Sequence, residues 1–189
     1  MNILVDTLPE TVVVGETSHR INTDFKTCLR AVLALEAGDL AWDEKAAIVL
    51  ELMYGDKVPL DFSEALQQAL IFLNGGKSDS DEASGPRVYS LSTDAGLIFA
   101  AFRQTHGIDL ERERMHWWKF ITLFMDLGAD TTFCNLINLR RRVRSGQATK
   151  EERQVASELG NLMMVPEVDT RTVEEREAEA AFTAALRGS

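Results

Sequence analysis

Apolar residues recur at intervals of three and four along most of the chain after residue 22, which is the spacing that lines one side of an α-helix. The first such series is Phe25, Cys28, Leu29, Val32 and Leu33. Strand-like sequence is confined to the beginning, where Thr11–Val14 and residues 19–21 flank a four-residue turn. The sequence therefore predicts a mainly α fold, a small bundle of about six to seven helices with a short N-terminal β-hairpin.

Capping signals place several helix ends. Asp61 with Glu64, and Thr149 with Glu152, have the spacing of a capping box, in which two side chains satisfy the free amides of a first turn. Gly107 is expected to end a helix, because glycine adopts the left-handed conformation found after the last turn. The last helix is expected to pack through Val155, Leu159, Leu162 and Met163.

At 189 residues the chain is long enough for one globular domain, which we place at residues 1–165 with the hairpin in residues 1–21. Residues 74–87 are expected to form a mobile loop, because their Gly, Ser and acidic residues bury too little apolar surface. Residues 166–189, with six acidic and three basic residues, are expected to form a flexible or marginally helical acidic tail. The tail has a thin apolar stripe of Ala178, Ala181, Phe182 and Ala185.

Two adjacent tryptophans, Trp117 and Trp118, lie in a segment that we expect to be a helix capped by Asp109. Successive side chains of a helix project about 100° apart, so the two indoles cannot share one narrow face. The apolar residues that follow are Phe120, Ile121, Leu123, Phe124, Met125 and Leu127. A helix that is apolar nearly all round is predicted to be core, rather than a base-stacking platform, which would need a basic groove. Exposure at a subunit or partner interface is the alternative.

Motifs for catalysis are absent: the chain has no G-x-S-x-G, H-E-x-x-H, Walker-type or G-x-G-x-x-G sequence. Glu113 and His116 make an E-x-x-H pair, half of the set that helical bundles use to hold two metal ions. We favour a helix-surface pair over a metal site. The sequence therefore predicts no enzyme activity, no catalytic residues, no metal and no cofactor.

The charge balance bears on partners. With 30 acidic and 20 basic residues the formal net charge is −10, which repels a phosphate backbone and counts against nucleic acid. No apolar run approaches the ~20 residues that span a bilayer, and the beginning of the chain lacks signal-peptide features. We therefore expect a cytoplasmic protein without a membrane partner. Cys28 and Cys134 are isolated and are expected to be reduced.

One cluster of cations stands out near the end of a predicted helix: Arg140, Arg141, Arg142 and Arg144. Cations at a helix carboxyl terminus are favoured by its dipole, so a solvated helix end is the preferred interpretation. Contact with an acidic partner, or with the chain's own acidic tail, comes second. A small RNA-binding patch comes last.

Four stretches of the chain coincide with a known family: INTDFKTCLR, LQQALIFLNGGK, DAGLIFAAFRQTHGIDLE and MHWWKFITLFMDLGADTTF. Together they resemble the bacteriophage gene product fifteen family of long-tailed phages and prophages, which is grouped with tail assembly chaperones. The resemblance extends over most of residues 1–165. Its most specific element is H-W-W-K-F at residues 116–120, following G-I-D-L at residues 107–110.

The resemblance implies a non-enzymatic tail assembly chaperone in the host bacterial cytoplasm. Proteins similar to this family coat the long, helical, poorly soluble tape-measure protein until tail-tube subunits polymerise around it. The implied partners are the tape-measure protein, the tail-tube protein or a companion chaperone, and a homo-oligomer is a further option. Candidate partner-binding residues are Phe25, Leu29, Trp117, Trp118, Arg140, Arg141, Arg142 and Phe182. The alternative is a structural tail-completion or head-to-tail connector protein that stays in the virion.

Overall fold

The computed structural model describes residues 3–77 and 87–166 and confirms a mainly α fold with an N-terminal hairpin. The hairpin is antiparallel and consists of β1 (Thr11–Val14) and β2 (Thr17–Arg20). The helices are α1 (Phe25–Glu36), α2 (Trp42–Tyr54), α3 (Phe62–Leu73), α4 (Ala95–His106), α5 (Trp117–Met125), α6 (Thr132–Arg144) and α7 (Lys150–Leu159). Short 3-10 segments, Gly55–Lys57 and Gly160–Met163, follow α2 and α7. No helix in the described residues has the length and apolar character needed to cross a membrane.

The hairpin is fixed to the start of α3. Pairing of Val14 with Thr17 leaves a turn of Gly15 and Glu16, so the predicted four-residue turn is wrong and β2 begins earlier. The amide of Gly15 donates to the carboxylate of Glu64 over 2.7 Å. Asp61 caps α3 as predicted, but Glu64 contacts the hairpin rather than closing a capping box. The side chain of Glu64 thus takes part in a long-range contact with the hairpin, in place of the local capping contact that the sequence predicted.

Buried side chains from the hairpin and from α1 to α6 form one apolar cluster. Within it Phe120 of α5 stacks on Phe25 of α1, with ring centroids 5.1 Å apart, and on Phe102 of α4, at 5.0 Å. The ring of Trp117 stacks on the same phenylalanine at 5.4 Å. Offset stacking adds to the free energy that burial of these rings contributes. As predicted, α5 is therefore part of the core.

The start of α5 lies later than the sequence predicted. Asp109 accepts the amide of Glu111 and closes a turn, and α5 begins only at Trp117. The preceding residues are extended, because the amide of Phe25 donates to Met115 and the amide of Trp117 donates to Thr23. This pairing with the segment before α1 takes the hydrogen bonds that a longer helix would have used.

A buried ion pair joins three parts of the chain. Arg140 of α6, only 2% exposed, contacts both carboxylate oxygens of Asp94, at 2.7 and 2.9 Å. The same guanidinium donates to the carbonyls of Val88 and Leu162. The interpretation of Arg140 as part of a solvated helix end is therefore wrong, because Asp94 supplies an internal partner 46 residues away.

The last helix packs differently from the prediction. Thr149 and Glu152 form the expected capping box. However, α7 contributes no buried residue, and Val155 and Leu162 are 47% and 49% exposed. Two polar contacts also hold this region, next to buried Val165: Glu152 pairs with Arg142 over 3.0 Å, and the carbonyl of Leu162 accepts from buried Arg140. The predicted packing through Val155 and Leu162 is wrong.

We predict that Arg140→Met lowers the free energy of unfolding by about 3–5 kcal/mol, because it leaves the Asp94 carboxylate buried without its cation. The matched control is Arg103→Met, which removes an exposed pair with Asp109 and should cost less than about 1 kcal/mol. Urea unfolding followed by circular dichroism measures both. Equal, small losses for the two variants would contradict a structural role for the buried pair.

We also predict that stability falls as pH rises above about 9. Burial, with a smaller contribution from the Asp24 carboxylate, raises the pKa of Cys28 from 9.0 to about 12, and burial raises the pKa of Tyr54 from 10.0 to about 12. The unfolded chain then releases these protons at lower pH than the folded chain, so stability present below pH 9 is lost towards pH 12. Urea midpoints measured from pH 8 to pH 11 should fall less steeply for Cys28→Ala and Tyr54→Phe. Parallel slopes for these variants and the parent chain would contradict the assignment.

Candidate partner-binding groove

His116 organises the beginning of α5. Its Nδ1 accepts the amide of Trp118 over 3.0 Å, so the imidazole acts as the N-cap of the helix. Because Nδ1 accepts, Nε2 is the nitrogen that bears the proton, and it donates to the carbonyl of Pro9 over 2.9 Å. His116 thus connects α5 to the segment before β1, and both of its ring nitrogens are engaged in structural hydrogen bonds.

The two tryptophans cap the end of α3. The indole Nε1 of Trp117 donates to the carbonyl of Leu73 at 2.9 Å, and that of Trp118 donates to the carbonyl of Phe72 at 2.8 Å. The last carbonyls of a helix have no partner within the helix, so an external donor is required when they are covered by protein. The adjacent indoles provide two such donors to two adjacent carbonyls.

A glycine turn follows α3 and packs on the second tryptophan. Gly75 and Gly76 both have positive φ, at 70° and 82°. Their amides donate back to the carbonyls of Phe72 and Ile71. A Cβ on Gly76 would lie 2.8 Å from Cη2 of Trp118, so only glycine allows this approach. The predicted loop of residues 74–87 therefore starts with a hydrogen-bonded turn, and its residues 78–86 lie outside the described part.

A concave, mainly apolar surface lies beside α5, with a volume of about 830 Å³. We call it the α5 groove. Its floor and walls include Trp118 and Ile121 of α5, Val32 of α1, and Leu91. Met125, which is 78% exposed, stands on the rim. A cavity of this size and lining is suited to apolar side chains of a ligand or partner.

A second cleft, of about 860 Å³, lies between the hairpin, the end of α2 and residues 114–116. Its lining is charged with both signs: Arg20, Lys57 and Arg114 face the same space as Glu10 and Asp24. Burying such charges against an apolar partner would cost desolvation energy without compensation. The α5 groove is therefore the better candidate for an apolar partner.

Comparison with protein families adds an independent finding. A family model described as Bacteriophage Gp15 protein matches residues 4–163. The chain belongs to the Bacteriophage Gp15 family. The resemblance inferred from sequence is thereby confirmed, and the chain is a phage structural or assembly protein. Comparison with curated proteins and with solved structures gives no match.

In this Gp15 family member, the stretches that carried the resemblance meet around α5. HWWKF begins α5, and its indoles contact the end of LQQALIFLNGGK. The stretch INTDFKTCLR supplies Phe25, and DAGLIFAAFRQTHGIDLE supplies Phe102, which both stack on Phe120. The amino-acid patterns that identify the family are thus parts of one packing unit.

The predicted apolar contact residues of this Gp15 protein differ in where they lie. Phe25 and Trp117 are buried in the core, at 2% and 5% exposure, so they offer a partner little surface. Leu29 is half-buried against the core. Trp118 is half-buried and lines the α5 groove, where Trp117 contributes a smaller, buried part of the lining. Phe182 lies outside the described residues.

The predicted arginine contacts also divide. Arg140 is buried, and its guanidinium bonds to Asp94 and to the carbonyls of Val88 and Leu162. Arg141 and Arg142 are exposed at the end of α6, and Arg142 pairs with Glu152. The exposed arginines do not line the α5 groove.

Sequence reasoning missed several groove residues, among them Val32, Tyr89 and Leu91. For the groove residues on α5 the sequence did contain a pattern. Trp118, Ile121 and Met125 recur at helical spacing and form an apolar stripe beside the more buried stripe of Trp117 and Phe120. No comparable signal marks Tyr89 and Leu91, which precede α4 in an irregular segment.

We predict that Gly76→Ala destabilises the protein by about 1–3 kcal/mol more than Gly107→Ala. Both glycines have positive φ, but a Cβ on Gly107 meets no atom within 4 Å, whereas one on Gly76 collides with the rigid indole of Trp118. Gly38→Ala, at an open position without positive φ, should be within about 0.5 kcal/mol of the parent. Urea unfolding measures the differences, and only Gly76→Ala should change tryptophan emission. Equal costs at positions 76 and 107 would contradict the contact.

Proposed function

We propose that this chain is a phage tail assembly chaperone that binds the tape-measure protein before the tail tube polymerises. The observation that carries the proposal is the α5 groove, an apolar concave surface beside the family's most specific sequence motif. A long helix with an apolar stripe fits such a groove by placing side chains at helical spacing into it. Val32, Ile121 and Met125 are the contacts that we assign to the client.

The charge of the chain supports the same function. A client with exposed apolar stripes aggregates, and covering the stripes with a protein of formal net charge −10 gives the complex a repulsive surface. The described residues of the groove lining carry little net charge, because they include one acid, Glu36, which pairs with Arg87, and one base, Lys77. An apolar helix can therefore enter without burying an unpaired cluster of charges.

The proposal places the protein in the host bacterial cytoplasm, without enzymatic activity, cofactor, nucleic acid or membrane partner. Tail-tube protein or a companion chaperone is the alternative client for the same groove. The exposed Arg141 and Arg142 are assigned to a secondary, acidic contact, because they lie at the end of α6 and outside the groove.

Co-expression with the tape-measure protein of the same phage tests the proposal. We expect the client to be insoluble alone and to form a soluble stoichiometric complex with this chain, measured by size-exclusion chromatography with light scattering. Met125→Asp should reduce the complex roughly tenfold or more, because it places a charge against apolar client surface. Leu60→Asp is the matched control, since Leu60 is 96% exposed and outside the groove.

Two outcomes would contradict the proposal. Equal loss for Met125→Asp and Leu60→Asp would remove the groove as the client site. Mass spectrometry of purified particles provides the other: a chaperone is expected to be absent from the virion, whereas a fixed ratio of this chain to tail proteins would favour a structural tail-completion or connector protein.

A further inference from the structure

The α5 groove of the free chain is an apolar surface that a protein without its client leaves exposed. Met125 is 78% exposed and Ile3, on the same lining, is 44% exposed. Contiguous apolar surface of this kind promotes association unless another segment covers it. A segment that covers the groove has to lie within reach of it.

The chain leaves the described structure next to this groove. Pro166 lines a small cavity of about 310 Å³ together with Leu33, Glu36 and Arg87. Glu36 also lines the α5 groove, as does Val32, one turn earlier on α1. The two cavities therefore share one end of α1, and whatever follows Pro166 begins at the border of the groove.

The sequence after Pro166 suits this surface. Phe182 follows Pro166 by sixteen residues, which span about 24 Å as a helix or about 50 Å extended. A globule of this size has a radius of gyration of about 15 Å, so the tail stripe can reach any part of the groove. The stripe of Ala178, Ala181, Phe182 and Ala185 has the spacing of a groove-binding helix.

Charge and family boundaries agree with a tail in this position. Glu174, Glu175, Glu177 and Glu179 precede or flank the stripe. Among the described lining residues the groove offers Lys77, and the one acid, Glu36, is paired with Arg87. The family match ends at residue 163, so the tail is an addition to the part that the family model covers.

We propose that the tail stripe around Phe182 occupies the α5 groove of its own chain, where it acts as a built-in competitor of the client. The docking of the tail depends only on the groove and on the exit of the chain at Pro166. The competition with a client additionally rests on the function proposed above. The competing site for the tail is the exposed surface of α7 and the residues that follow it, with Val155, Leu162 and Met164.

Photo-cross-linking in the full-length chain distinguishes these sites. The photoreactive amino acid p-benzoylphenylalanine replaces Phe182, and illumination of the dilute protein without client inserts its carbonyl carbon into a nearby C–H bond, with methionine side chains preferred. We expect a cross-link within one chain to the tryptic peptide that contains Met125, identified by mass spectrometry. Met125→Asp in the same chain should reduce this cross-link roughly tenfold or more.

The same amino acid in place of Phe62 is the matched control, because Phe62 is 61% exposed and outside the groove lining. It should give no link to Met125. Links from position 182 to the α7 peptides, links between two chains, or no links at all would each overturn docking of the tail in its own groove.

Addition of the tape-measure protein tests the competition separately. Client that enters the groove should reduce the cross-link in proportion to complex formed. A complex that forms while the cross-link persists would overturn the competition and leave docking intact. Failure of the client to bind at all would instead count against the proposed function, since the client-free cross-link is measured independently.

Discussion

The last turn of α3 constrains the rest of the structure. Phe72 and Leu73 are buried there, and amides of later helical turns are not available to their carbonyls. The amide of Gly75 donates to the carbonyl of Phe72, and the indoles of Trp118 and Trp117 supply further donors to Phe72 and Leu73. Successive carbonyls lie about 100° apart around the axis of a helix, and so do successive side chains of another helix. Adjacent indoles at Trp117 and Trp118 therefore match adjacent carbonyls, but only where the first turn of α5 abuts the end of α3. These two hydrogen bonds therefore help to fix α5 against α3, beside the groove.

The buried guanidinium of Arg140 likewise supplies hydrogen-bond donors to several segments of the chain. It supplies donors to Asp94 and to the carbonyls of Val88 and Leu162, three groups that belong to different segments. Arginine suits this position because its fork of donors can satisfy a carboxylate and carbonyls at once. Since Leu162 lies only four residues before Pro166, the same contact fixes where the chain leaves the described structure, beside α1.

Local signals were sufficient for most helices, as shown by the stop at Gly107 and the capping box of Thr149 and Glu152, because these depend on neighbours in sequence. Features that depend on distant partners were mispredicted. The start of α5 follows from pairing with Thr23 and Phe25, and the burial of Arg140 follows from Asp94. Apolar spacing is also the same whether the chain or a partner covers a stripe, so α7 looked like a core helix. Part of the groove comes from irregular segments, such as those with Tyr89 and Leu91, and these segments have no periodicity from which a shared surface could be predicted.

Under the proposed function, the α5 groove has to be covered in the free chain and yet be available to a client, and the composition of the tail fits both requirements. A tethered segment binds at a high effective concentration, on the order of millimolar for a short linker, so even weak intrinsic affinity suffices to cover the groove. Apolar burial scales with side-chain area, and a stripe of three alanines and one phenylalanine buries less than a helix with several large apolar residues. A client with such residues therefore gains more free energy in the groove than the tail loses on leaving it. An alanine-rich stripe is therefore suited to a segment that a client displaces from the groove.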